Sequence, residues 1–239
     1  MLDSILNSKA FLDSATASGG LFVTGTDTDV GKTMVASAIV RGLVASGCRV
    51  GVYKPVASGG LAVDGDADRL WQAAGRPLSL AAVCPQSFAA AISPPRSARA
   101  EGRVVDDRLL RDGMIPWREA SDVVIVEGAG GLFSPLSESS LNVDLARDLG
   151  LPLVIVDAAR LGAIGRTLAT VEAARARGLT ITAVVLSETI PPAVAGSGVQ
   201  ADDPASARRI ARDSREDLAA MLSPIPVAVL EHLTPTRSR

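Results

Sequence analysis

The sequence predicts one α/β domain built on an open, mostly parallel sheet with helices on both faces. Three observations carry that prediction. Runs rich in Val, Ile and Leu recur along the chain and are continuous rather than alternating, the pattern of strands buried on both faces. Helix-like runs separate them, and strand–helix alternation with right-handed crossovers gives a parallel sheet. The first strand-like run leads straight into Gly25-Thr26-Asp27-Thr28-Asp29-Val30-Gly31-Lys32-Thr33, which reads as a phosphate-binding loop opening a helix.

Leu21–Thr24 is the first predicted strand and Thr33–Ala45 the helix after the loop. Backbone N–H groups at that helix start suit an anion, Lys32 can reach β- and γ-phosphates, and the Thr33 hydroxyl suits Mg²⁺. Thr26 stands where the usual pattern has its first glycine, with Gly25 one place earlier. Arg49–Lys54 is the second strand, followed by Pro55-Val56-Ala57-Ser58-Gly59-Gly60. Lys54 reads either as a side chain snorkelling from a strand end or as a second cation aimed at the phosphates, with the Ser58 hydroxyl nearby.

Asp66–Ala74 and Asp107–Ile115 read as helices. By spacing alone, the aspartates of Asp64-Gly65-Asp66-Ala67-Asp68 read as loop or cap residues. Val123–Val126 is the third clear strand, and Glu127 at its tip has the usual place of a Mg²⁺-associated carboxylate. Of the residues that follow, Gly128, Gly130 and Gly131 would let the backbone come close to a phosphate. The helix Val143–Leu149, strand Leu153–Val156, helix Ile164–Arg177, strand Ile181–Leu186, helix Ala205–Met221 and strand Val227–Leu230 complete the alternation. Ligands of such sheets collect outside the carboxyl ends of the strands.

With 239 residues the chain suits a single domain at 19–239, preceded by a short, loosely held extension at 1–18. A content of 47% hydrophobic but only 3% aromatic residues requires a core of Ala, Val, Leu and Ile. A net charge of −2 argues against a nucleic-acid partner. No apolar run reaches the roughly 18 residues that span a bilayer, and no secretory signal opens the chain. Cys48 and Cys84 lack metal-ligand or redox spacing and suit inert thiols in a reducing cytoplasm. His232 is the only histidine, which argues against a His-based triad or a multi-His metal site. Trp71, Trp117 and the Arg208–Asp217 stretch read as packing and a solvated helix face.

Taken in order, several segments resemble the dethiobiotin synthetase family, whose fold is P-loop NTPase-like. They are Val23 to Thr33, Tyr53-Lys54-Pro55-Val56-Ala57-Ser58-Gly59, Ser93-Pro94 with Ala100-Glu101-Gly102, and Val126 to Gly131. Leu161-Gly162-Ala163-Ile164 and Ile225-Pro226 fit as well. The Gly-x₅-Gly-Lys-Thr spacing is that family's own form of the loop.

The resemblance implies ATP- and Mg²⁺-dependent carboxylation and ring closure of 7,8-diaminopelargonic acid with CO₂ (bicarbonate), giving dethiobiotin, ADP and phosphate. Position by position, it implies that Lys54 and Lys32 are catalytic and that Thr28 and Ser58 contact the carbamate end of the substrate. Thr33, Asp66 and Glu127 are implied Mg²⁺ ligands, with Asp68 the alternative to Asp66. The nucleotide is expected at Asp29, Val30, Gly31, Lys32, Thr33, Met34, Asp66, Glu127, Gly128, Ala129 and Gly130. Ser187 and Glu188, with Pro226, Val227 and Ala228, are the expected base-side contacts. Family members are homodimers, so Gly162, Ala163 and Ile164 would hold the substrate carboxylate across the subunit interface. Three positions depart from the family pattern. Asp29 replaces a common Glu, Pro95 stands where many relatives have His, and Ser187-Glu188 replaces an Asn-Asp pair that reads adenine.

Overall fold

The computed structural model describes residues 5–6, 8–188 and 204–231. His232 and the Arg237-Ser238-Arg239 end lie outside the described residues. Strand β1 (Gly20–Gly25) follows a helix α1 (Lys9–Ala17) and leads through the loop into α2 (Lys32–Ala45). Next come β2 (Val50–Tyr53), a short β3 (Ala57–Ser58), α3 (Asp66–Ala73), α4 (Leu80–Val83), β4 (Ser87–Phe88) and α5 (Pro94–Ala100). The chain continues through α6 (Asp107–Asp112), α7 (Ile115–Ala120), β5 (Val123–Gly131), α8 (Asn142–Leu149) and β6 (Leu153–Ala158). It ends, among the described residues, with α9 (Ala163–Ala176), β7 (Ile181–Ser187), α10 (Pro204–Leu222) and β8 (Val227–Leu230).

Six strands form one sheet in the order β2-β5-β1-β6-β7-β8, every pair parallel. Leu21 lies opposite Ile125, Val23 opposite Val154, and Ser187 opposite Leu230. Helices cover both faces. The central strands are buried along their whole length, which explains why their sequences show no alternation. Strand β1 sits between β5 and β6; the connection from β1 to β2 runs to one side of it, and the connection from β5 to β6 crosses to the other. That switch point is where an open sheet of this kind leaves a crevice.

Three expectations change. The 1–18 segment is not loosely held where it is described. Ser8 caps α1 by accepting from the Phe11 N–H, and Leu6, Phe11 and Ala15 are buried in the core. The single helix expected over Asp107–Ile115 is two helices. Gly113 separates them with no room for a side chain, since a Cβ there would sit 2.3 Å from the Tyr53 hydroxyl. Pro116 then starts α7 in the first-turn position where proline is favoured. A two-stranded parallel sheet, β3 with β4, was not foreseen; it pairs Ala57 with Ser87 and Ser58 with Phe88.

Trp117 is fully buried and donates its indole N–H to the Ala82 carbonyl at 3.0 Å. Burial pushes the Cys84 thiol up to about 11, which makes it inert at neutral pH.

Candidate active site

The phosphate loop takes its shape from a few backbone requirements. Asp29 and Gly31 both adopt left-handed conformations, at φ 53° and 92°, and aspartate is among the few side chains that tolerate one. Gly25 is needed because a Cβ there would lie 2.6 Å from the Asp27 carbonyl oxygen and 3.2 Å from Lys32 Nζ. Thr26, in the usual glycine slot, is tied to β6: its N–H donates to the Val156 carbonyl at 2.9 Å and its hydroxyl to Asp157 Oδ1. Lys32 folds back over the loop and donates to the Asp27 carbonyl at 2.9 Å. Burial pushes its ammonium pKa down, against the pull of Glu127.

Lys54 does not snorkel. It is buried, with Nζ 2.6 Å from Glu127 Oε1 and 2.9 Å from Asp66 Oδ2. Burial acts to lower its pKa, but the two carboxylates outweigh it and hold the ammonium above its ordinary value. Thr33 Oγ1 lies 2.8 Å from Asp66 Oδ1 and 3.0 Å from Glu127 Oε1, and its one proton serves one of them at a time. Burial pushes the Glu127 carboxyl up; Lys54 opposes this and the neighbouring Asp66 adds to it. Glu127 Oε2 is buried and accepts no hydrogen bond, an acceptor aimed at nothing among the described residues.

These groups border a cleft of about 530 Å³ at the carboxyl edge of the sheet. Of the expected residues, Asp29, Gly31, Lys32, Thr33, Met34, Asp66, Glu127, Ser187 and Glu188 line it. Ser58 lines a smaller cleft of about 190 Å³, and Asp66 borders both. Asp68 is turned elsewhere, its Oδ2 accepting from the Asp64 N–H at 2.9 Å and from Gln72 Nε2 at 2.8 Å. Asp66→Asn is therefore expected to raise the Mg²⁺ concentration for half-maximal turnover about tenfold or more. Asp68→Asn should leave it within about twofold; the reverse order in a Mg²⁺ titration would reassign the pair.

Other expected residues are placed differently. Pro226, Val227 and Ala228 stand at the start of β8, whereas the cleft is reached by its end, Leu230 and Glu231. In a parallel sheet those ends face opposite edges, roughly 10 Å apart over three residues. Gly128, Ala129 and Gly130 do not line the cleft either, because β5 continues through them. Asn142 donates to the Ala129 and Gly131 carbonyls, both at 2.7 Å, and accepts from the Ala129 N–H. Its Oδ1 takes the space of a Gly128 Cβ, so close packing requires a glycine there. Val30 is buried in the core, so only its backbone is available to a ligand.

Thr28 is exposed on the loop, its N–H held by Asp27 Oδ1 at 2.7 Å. Gly162, Ala163 and Ile164 open α9 away from the cleft. The Ala163 N–H already donates to the Arg160 carbonyl at 3.0 Å, which leaves fewer donors there than expected. Sequence reasoning missed Arg41, Arg69, Leu230 and Glu231 in the cleft wall, and the buried Asp157 behind the loop. An acidic residue at a strand tip, the signal that singled out Glu127, was also present at Asp157.

A family model described as an AAA domain matches residues 19–234. The ATP-dependent dethiobiotin synthetase BioD of Rhodopirellula baltica is 47% identical over 198 residues, 76% of this chain and 77% of its own. The chain belongs to the dethiobiotin synthetase family. The synthetase of Anaeromyxobacter dehalogenans strain 2CP-C is 43% identical over 85% of this chain and 89% of its own. Among solved structures, the hydrogenase maturation factor HypB from Archaeoglobus fulgidus aligns with 95% of this chain and 89% of its own, at 14% identity and a TM-score of 0.48. The match to the Anaeromyxobacter dehalogenans synthetase covers 85% of this chain, far more than the phosphate loop.

Proposed function

We infer that the chain is an ATP-dependent dethiobiotin synthetase that converts 7,8-diaminopelargonic acid, CO₂ and ATP to dethiobiotin, ADP and phosphate. The observation that carries this reading is the meeting of Lys54, Glu127, Asp66 and Thr33 beside the loop, with contacts of 2.6 to 3.0 Å. The reaction has three steps. One amine adds to CO₂ and loses a proton, giving a carbamate. A carbamate oxygen takes the γ-phosphoryl of ATP and ADP leaves. The second amine attacks the carbamoyl carbon, the C–O bond to phosphate breaks, and the ring closes as that amine loses its proton.

Carbamate and triphosphate are both anionic, so their approach requires fixed cations. The loop backbone and Lys32 orient the phosphates. Lys54, held by two carboxylates at the strand end, stabilises charge at the transferring group. Ser58 and Thr28 are the hydroxyls assigned to the carbamate end. Thr33, Asp66 and Glu127 would hold Mg²⁺, and the orphaned Glu127 Oε2 is the acceptor that suits it. With no group of three or more acidic, Cys or His side chains placed for a metal among the described residues, phosphate and water oxygens would complete the shell. That ion would neutralise charge on the β- and γ-phosphates. The working form is proposed as a cytoplasmic homodimer, with the α9 start of one subunit facing the substrate carboxylate of the other. Among the described residues, no helix is long and apolar enough to cross a membrane.

Phosphate release from ATP by the purified protein should require both bicarbonate and the diamine acid. Release at an equal rate with either omitted would overturn the assignment.

The base end of the cleft, where Ser187, Glu188, Leu230 and Glu231 meet, predicts weak nucleotide discrimination. Selectivity grows when a mismatched base leaves buried polar groups unpaired, and Ser187 offers fewer such groups than an amide side chain. ATP should exceed CTP and GTP in kcat/KM by only about tenfold, roughly 1.4 kcal/mol. A thousandfold preference in competition assays would show that another group reads the base.

A further inference from the structure

Behind the loop lies a buried polar junction that the reaction, as described, does not use. Asp157 ends β6 next to β1 and is wholly buried. Its Oδ1 accepts from the Thr26 hydroxyl and, at 2.8 Å, from the Ala158 N–H. Arg166, one turn into α9, places Nε 3.2 Å from both Asp157 oxygens. The Thr167 hydroxyl lies 3.5 Å from Oδ2. The same guanidinium reaches back to the turn before α9, with NH1 3.2 Å from the Leu161 carbonyl and NH2 3.4 Å from the Ala158 carbonyl. Gly162 leaves it room, since a Cβ there would lie 2.9 Å from Arg166 NH1.

One carboxylate therefore joins two elements far apart in sequence. On one side is the second residue of the phosphate loop; on the other is the helix start that follows the next strand. A buried carboxylate with a charged donor on one side is fixed in orientation, and charge-assisted bonds are the strong ones. Among the described loop residues that precede Lys32, Thr26 is the one whose side chain hydrogen-bonds outside the loop.

We propose that Asp157 is a positioning residue for nucleotide binding: oriented by Arg166, it fixes Thr26 and through it the backbone of the phosphate loop. Arg166 does not line the nucleotide cleft, and of its partners Asp157 is the one tied to the phosphate loop, through Thr26. The proposal rests on the reading of that cleft as the ATP site.

The test is a double-mutant cycle on ATP affinity, measured by calorimetric titration with Mg²⁺, alongside KM values in the full reaction. Arg166→Met should weaken ATP binding about fivefold, and Thr26→Val about tenfold, the loss of a hydrogen bond to a charged group. In the Thr26→Val background, Arg166→Met should have no further effect on ATP affinity. Arg166→Lys, which keeps a cation near Asp157, should recover part of the affinity. A general loss of packing would instead leave the cycle additive; a lower melting temperature is expected in either case, because buried Asp157 loses its ion-pair partner. If Arg166→Met leaves ATP affinity within about 1.5-fold, or acts equally in both backgrounds, the proposal is wrong. Should Arg166→Met not fold, Arg166→Lys in both backgrounds decides by the same comparison. A wild-type protein that binds no ATP would overturn the reading of the cleft itself, which is a separate result.

Discussion

Replacing Lys54 with methionine is expected to lower kcat by about 10²–10³, the usual cost of removing one preorganised group that stabilises transition-state charge. The same change should destabilise the fold, because Lys54 is the cation against which the fully buried Glu127 is set. Removing one member of a buried pair typically costs about 3–5 kcal/mol. Two effects on one residue need separating. The double variant Lys54→Met/Glu127→Gln removes both charges, so its melting temperature should return most of the way to wild type while its turnover stays low. Steady-state rates and thermal melts on the single and double variants check this. A loss in kcat below threefold in Lys54→Met would remove Lys54 from the chemistry, whatever its effect on stability.

Glu127→Gln should cost much less stability than Lys54→Met and act in the same sense on activity. It takes away a buried charge whose second oxygen has no hydrogen bond, so the folded state should lose little. Lys54 keeps Asp66 as its partner at 2.9 Å. Turnover should then need at least about tenfold more Mg²⁺, because a neutral amide oxygen is a poorer ligand for a hard cation than a carboxylate. A Mg²⁺ titration at fixed ATP measures it. Asp122→Asn, which breaks only the surface pair with Arg49, is the control and should leave the Mg²⁺ dependence unchanged. An unchanged dependence in Glu127→Gln would remove Glu127 from the ion's shell.

Much of this was legible in the chain. Continuous Val and Ile runs mark strands buried on both faces, so β1, β2, β6, β7 and β8 lie where their sequences put them, within a residue or two. The loop was legible because its function demands a fixed order of Gly, Lys and Thr directly after a strand. Lys54 and Glu127 stood out by chemistry, as charged residues at the ends of apolar strands. For Lys54 the sequence left two readings open, and only the tertiary structure removed the snorkelling one.

What remained undecided by sequence depends on contacts between distant segments. The glycines after Glu127 read as a phosphate-facing turn, yet their form is set by Asn142, which enters the β5 backbone from the start of α8. Asp66 and Asp68 differ by two positions on a helix and so point in different directions; which one faces Thr33 and Lys54 follows from how α3 docks. Pro226 stands before β8 while the end of that strand reaches the cleft, because a motif gives proximity in sequence, whereas the edge of a parallel sheet that a residue occupies is set by its place along the strand. Asp157 was passed over because its partners, Thr26 and Arg166, are brought to it only when β6 pairs with β1 and α9 folds back. The sequence by itself determined the strands, the loop and the charges available. The folded chain decided which charges meet, since hydrogen bonds and ion pairs act over a few ångströms and local sequence does not encode those distances.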